Sequence, residues 1–130
     1  LDLVVNFMLP ELYRQHCQQF RRLVEPLTTM VNPLSTDQTA LKAGLQELQK
    51  FFKQELTAPD GDGPALEADG QVRALWVEVD KQLRLLAMDI TFLQSARQPV
   101  TRSQRQGQIG DRLNRLLRYC DGLLGEDMRE

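Results

Sequence analysis

The sequence predicts an all-α fold, an up-down-up-down antiparallel four-helix bundle with a long central third helix, on three observations. Apolar side chains recur three and four residues apart in four separate stretches, the spacing that lines one face of an α-helix. Proline, glycine or a capping pattern divides each stretch from the next. The longest stretch, Val72 to Arg97, contains neither proline nor glycine. Its apolar arc covers about half the circumference, so it needs neighbours on two sides.

The first helix is expected from Leu9 to Val31. Leu12 or Tyr13, Cys17, Phe20, Val24, Leu27 and Val31 form its stripe, and Pro10 is tolerated in a first turn. Pro26 must kink this helix or end it near Glu25. The stripe continues beyond it, which favours a kink. Asn32-Pro33 closes the segment.

Ser35 with Gln38 fits a capping box, and Thr36 or Asp37 could serve instead. A second helix then runs to about Leu56, with Leu41, Leu45, Leu48, Phe52 and Leu56 on one face and Phe51 widening it. Gly44 is either a defect of about 1 kcal/mol relative to Ala or a point of close helix approach. Residues 57–70 read as an acidic, flexible loop. Its Asp60-Gly61-Asp62-Gly63 lacks the further ligands of a calcium loop.

The third helix carries Val72, Leu75, Val79, Leu83, Leu86, Ile90 and Leu93 in one stripe. Leu85 and Phe92 flank it on one side, Trp76 and Ala87 on the other. It would be about 40 Å long. Asp89 falls between the stripe and the Leu85/Phe92 flank, where a lone carboxylate is costly, so an arginine partner is expected. A capping box at Thr101 and Gln104 opens the fourth helix, which carries Ile109, Leu113, Leu116, Leu117, Cys120, Leu123 and Leu124. Gly107 and Gly110 suggest close contact with the third helix, and Gly125 a stop. Connections of about 3, 12 and 3 residues make sequential helices antiparallel.

The chain is therefore read as one domain over residues 9–124, with tails at 1–8 and 125–130. Met8 is the expected natural start, leaving Leu1 to Phe7 as an addition or an upstream reading; the alternative is an ordered apolar arm. The first residues lack the basic region and long apolar core of a signal peptide. No apolar run is long enough for a membrane span. Cys17 and Cys120 have no metal-ligand spacing and read as reduced core thiols of a cytoplasmic protein, with a disulfide between the first and fourth helices as the alternative.

Chemistry-bearing motifs are absent from the sequence. His16 is the single histidine and is beside Cys17, but adjacent residues do not share a helix face. There is no GxSxG, Walker loop, GxGxxG or HExxH pattern. The expectation is a protein that is not an enzyme and carries no metal or cofactor.

Charge supplies the clue to partners. The net charge of -2 argues against a general nucleic-acid binder. It is unevenly distributed: Gln94 to Arg118 holds six arginines against Asp111 alone, and Glu55 to Asp80 holds seven acids against Arg73 alone. Such polarity can steer an acidic protein partner to the basic end. No aromatic residue interleaves with those arginines, which counts further against nucleic acid.

The run Lys81 to Gln98, KQLRLLAMDITFLQSARQ, followed by Arg112-Leu113 and Arg118-Tyr119-Cys120-Asp121, resembles the cyanobacterial PatD family of heterocyst frequency control proteins. Leu45 to Leu56, LQELQKFFKQEL, resembles that family's second helix. The likeness extends from Met8 to Leu124 and is densest over Lys81 to Gln98. It implies a small cytoplasmic regulator that binds the tubulin-like division protein FtsZ, promotes its assembly, and so affects cell division and heterocyst frequency. The charge pattern, separately, nominates Arg97, Arg102, Arg105, Arg112 and Arg115 as the contact surface. A second reading is a self-associating helical module whose exposed apolar flank forms a homodimer. Neither reading involves a small-molecule substrate.

Overall fold

Helical periodicity is realised in four helices: α1 (Glu11–Met30), α2 (Gln38–Phe51, continued by a π-helical turn over Phe52–Leu56), α3 (Gly70–Ser95) and α4 (Pro99–Leu124). The structure, a computed structural model, describes residues 11–31, 37–56 and 70–124. Both expected tails, the Asn32-Pro33 break, the Ser35 and Thr36 capping alternatives, the Asp60–Gly63 run and the Gly125 stop lie outside those residues, as do the side chains of Leu12, Tyr13 and Val72. No strand occurs among the described residues.

Each helix buries the stripe that its spacing defines. Cys17, Phe20, Val24 and Leu27 of α1 meet Leu41, Leu45, Leu48, Phe52 and Leu56 of α2, and the same core takes Val79, Leu83, Leu86, Ile90 and Leu93 from α3. From α4 come Ile109, Leu113, Leu116, Cys120, Leu123 and Leu124. A ring chain ties one end of this core. Phe20 lies 6.0 Å from Phe52, and Phe52 lies 5.9 Å from Trp76, the latter edge-on.

Sequential helices run antiparallel. Arg21 of α1 reaches Asp121 of α4 at 2.6 Å, and Arg14 donates to the Leu124 carbonyl at 3.4 Å, which pairs the start of one helix with the end of the other. The principal interfaces are α1 with α2, α2 with α3, α3 with α4 and α4 with α1. The third helix therefore has two close companions, the two sides that its wide apolar arc calls for, and stands diagonal to α1. It also begins and ends two residues earlier than its periodicity suggests, at Gly70 and Ser95.

Local details settle several alternatives. Asp37 is the N-cap of α2, its carboxylate accepting from the Ala40 amide at 3.0 Å. Pro26 does not end α1, which continues to Met30. The side chain of Pro26 is exposed, so the Arg22 carbonyl deprived of its helical donor is on the solvent side. Thr101 is not a cap: α4 starts at Pro99, and the Gln98 carbonyl already accepts from the Arg102 amide at 2.9 Å. Proline at the first helical position outcompetes the downstream threonine because its φ is preset for a helix. The link between α3 and α4, residues 96–98, has the expected length.

The glycines divide. A Cβ on Gly44 would come within 3.0 Å of Cδ2 of Leu27, so this glycine permits the close approach of α1 and α2. Gly107 and Gly110 have nothing within 4 Å of a built Cβ, so the expected close contact with α3 does not account for them.

Cys17 and Cys120 are buried free thiols in the α1–α4 interface, without the alternative disulfide. Burial pushes both up to about 12. A thiol raised in the folded state stabilises fully below its unfolded value, and that contribution is lost as pH rises from there toward the folded value. Each thiol should withdraw roughly 1 kcal/mol of stability by pH 10. Urea unfolding of wild type and Cys120→Ala at pH 8 and pH 10 checks this. The wild type should lose the greater stability over that interval by about that amount, and equal losses would refute it.

Candidate interaction surface

Asp89 organises the α3–α4 corner. It occupies a helix turn dominated by core residues, and only 4 % of it is exposed. Burying a carboxylate requires a partner, and α4 supplies two. Arg112 donates through Nε to Oδ2, and Arg105 stands 3.6 Å from Oδ1. Arg112 also donates through a terminal nitrogen to Oε1 of Gln82 at 3.2 Å, and the Gln82 amide donates to Glu78 at 3.1 Å. One guanidinium fork thus spans two turns of α3, a geometry a lysine ammonium cannot reproduce.

Arg105 has a second contact. Its guanidinium carbon lies 4.6 Å from the centroid of Phe92, over the ring, and a terminal nitrogen donates to Gln108 at 3.2 Å. Arg102 closes α3: it donates to the carbonyl of Ala96, just past the helix end, at 3.3 Å, and to that of Leu93 at 3.5 Å, which also accepts from the Ala96 amide at 3.2 Å. Of the five arginines nominated from the charge pattern, Arg102, Arg105 and Arg112 are therefore drawn into the α3–α4 corner. Arg97 and Arg115 are exposed.

The corner stays net positive, since Asp89 faces two guanidinium groups. Beside it lies an apolar surface on α3. Ala87, Met88, Thr91 and Phe92 line a shallow open depression of about 220 Å³. Between Leu85 and Ala96 the helix carries a single charged residue, Asp89, and that one is buried. The two flanks of the α3 stripe have different fates. Trp76 is buried and Ala87 packs on the core, whereas Leu85 is half-buried and Phe92 is exposed.

Sequence reasoning missed Gln82 and Met88. Gln82 lies seven residues before Asp89 on the same edge of the stripe, so the same spacing could have found it; it is buried and accepts from Arg112. Met88 could have been found from the lack of charge on the outer face over residues 85–96.

At the opposite end, His16 Nε2 lies 3.4 Å from Glu55 Oε1, and its ring meets Phe51 edge-on at 6.0 Å. This pair ties α1 to the π turn. Among the described residues no group of three or more histidine, cysteine or carboxylate side chains could hold a metal ion, and no helix is long and apolar enough to cross a membrane. Comparison of the chain with protein-family models, with characterised proteins and with solved structures gives no match.

Proposed function

We propose that this chain is a non-catalytic cytoplasmic regulator, similar to the PatD family, that binds FtsZ and modulates its assembly, with effects on cell division and heterocyst frequency. The observation that carries the reading is the α3–α4 corner, where an uncharged apolar face adjoins a net-positive arginine cluster. The Lys81–Gln98 run on which the resemblance is densest spans that face. Its inward positions, Leu83, Leu86, Ile90 and Leu93, have packing roles, so the outward ones are available for contact.

Arg97 and Arg115 are the informative substitutions because they are exposed. Arg102, Arg105 and Arg112 are engaged within the corner, and changing them would confound binding with folding. The Arg97→Glu, Arg115→Glu double variant should keep the wild-type circular dichroism spectrum. Its co-sedimentation with FtsZ polymers should fall about tenfold at low salt, with a smaller difference at high salt. Wild-type protein that leaves FtsZ polymer mass unchanged and does not pellet with it would sink the FtsZ reading. Undiminished pelleting of the variant would sink the arginine surface alone.

A further inference from the structure

Arg105 turns one edge of its guanidinium away from the protein. Both of its polar contacts run through a single terminal nitrogen, Nη1, which donates to Gln108 at 3.2 Å and stands 3.6 Å from Oδ1 of Asp89. Nε and Nη2 have no hydrogen-bond acceptor among the described residues, and neither is buried. Those two nitrogens form the edge that grips a carboxylate through two parallel bonds. Arg21 shows the completed arrangement in the same chain. Its Nη1 donates to Glu25, while Nε and Nη2 donate to the two oxygens of Asp121, at 2.6 and 3.5 Å. Arg105 has the first half of that arrangement and no second carboxylate among the described residues.

The open edge is held in place. The guanidinium carbon lies over the Phe92 ring at 4.6 Å, and Asp89 is itself fixed by Arg112. A guanidinium pinned on two sides loses little rotamer freedom when it binds a further group. Asp89 offsets only one of the two cations that face it, so the edge opens from a net-positive corner and favours an anion.

The neighbouring surface narrows the kind of anion. Arg105 covers part of Phe92, which is still 42 % exposed, and the same ring lines the shallow depression formed with Ala87, Met88 and Thr91. Carboxylate edge and apolar depression thus share one ring. That separation suits side chains two apart in an extended segment, about 7 Å, or one turn apart on a helix, about 5–6 Å. A lone inorganic anion would use the edge and leave the depression empty.

We propose that the Arg105 edge and the adjoining depression together dock a protein segment that carries an aspartate or glutamate beside a bulky apolar side chain. The carboxylate takes Nε and Nη2, and the apolar side chain lies on Met88 and Phe92. This names the partner chemistry of the α3–α4 corner. It rests on the reading of that corner as a contact surface, but not on the partner being FtsZ.

Peptide titrations followed by heteronuclear NMR test it. The probe is acetyl-Leu-Gly-Glu-amide, and the controls are acetyl-Leu-Gly-Gln-amide and acetyl-Gly-Gly-Glu-amide. The probe should move the Arg105 Nε–Hε resonance and the Met88 and Phe92 amides together, saturating with a dissociation constant on the order of 1 mM. Each control should bind about tenfold more weakly. Arg105→Lys keeps the charge without the two-nitrogen edge and should weaken the probe about tenfold. Met88→Glu repels the carboxylate and competes for the edge, with a similar loss expected. Met88 takes no part in the Asp89 network, so this variant serves where Arg105→Lys does not fold. No saturation by about 20 mM probe overturns the proposal. So do equal affinities for the Glu and Gln peptides, or the same set of shifts from sodium phosphate at equal concentration. Wild-type protein that pellets with FtsZ polymers but ignores the probe sinks this inference alone; the reverse result sinks the FtsZ reading alone.

Discussion

Replacing Arg112 with methionine should cost about 3–5 kcal/mol of folding stability, a loss visible as a large drop in the urea midpoint. The physical reason is what the substitution leaves behind. Asp89 is 4 % exposed, and Arg112 is its direct donor. Arg105 remains, but it stands 3.6 Å away and also covers Phe92, so it replaces the lost contact only in part. Gln82 loses its charged donor in the same step. Removing one member of a buried ion pair costs far more than the pair contributes net, because the orphaned charge retains its full desolvation penalty.

Two companion variants sharpen this expectation. Arg112→Lys keeps the charge but not the fork that reaches Gln82 and Asp89 together, so it should lose about 1–3 kcal/mol. The double variant Asp89→Leu, Arg112→Met removes both charges and should recover most of the loss of Arg112→Met. If Arg112→Met costs less than about 1 kcal/mol, the network behaves as an ordinary surface pair, and the inference that it holds α3 against α4 is wrong.

The same network shows what could be read from the chain and what could not. That Asp89 needed a cation was legible, because a carboxylate next to Leu86, Ile90 and Leu93 is on the edge of a helical stripe. Which cation was not. With six arginines between Gln94 and Arg118, the choice of Arg112 and Arg105 depends on how α4 slides past α3, and the short 96–98 link sets that register. The arginines nominated for binding were read as a charge count, and a count cannot tell an outward guanidinium from one turned to Asp89 or to the Leu93 and Ala96 carbonyls.

Periodicity was similarly legible on one side only. It identified Leu83, Leu86, Ile90 and Leu93 as core, since a 3.6-residue repeat fixes a face whatever the partner. It could not say how much of a wide apolar arc four helices would cover. Trp76 falls on the covered flank and Phe92 on the open one, and the difference comes from where α2 and α4 sit. The π turn at Phe52–Leu56 has no signature in the residue pattern, because Phe52 and Leu56 would face inward in a regular helix as well.

Gly44 gives the second large effect, and its diagnostic is a change of sign. In the wild-type background Gly44→Ala should destabilise by about 1 kcal/mol net. The gain in helix propensity is close to 1 kcal/mol, but the new methyl overlaps Cδ2 of Leu27, and overpacking costs about 1–3 kcal/mol. Leu27 is 1 % exposed, so its side chain cannot swing away without displacing core neighbours. Gly44→Val, larger and β-branched, should lose about 2–3 kcal/mol. Leu27→Ala alone opens a cavity at a cost of about 2–5 kcal/mol. In that background the obstacle is gone, and Gly44→Ala should now stabilise by up to about 1 kcal/mol through propensity and partial refilling of the void. Thermal or urea unfolding of the four proteins in the cycle measures this directly. A Gly44→Ala effect of the same sign and size in both backgrounds would mean that α1 and α2 do not approach at this point, and that the glycine is tolerated instead of required.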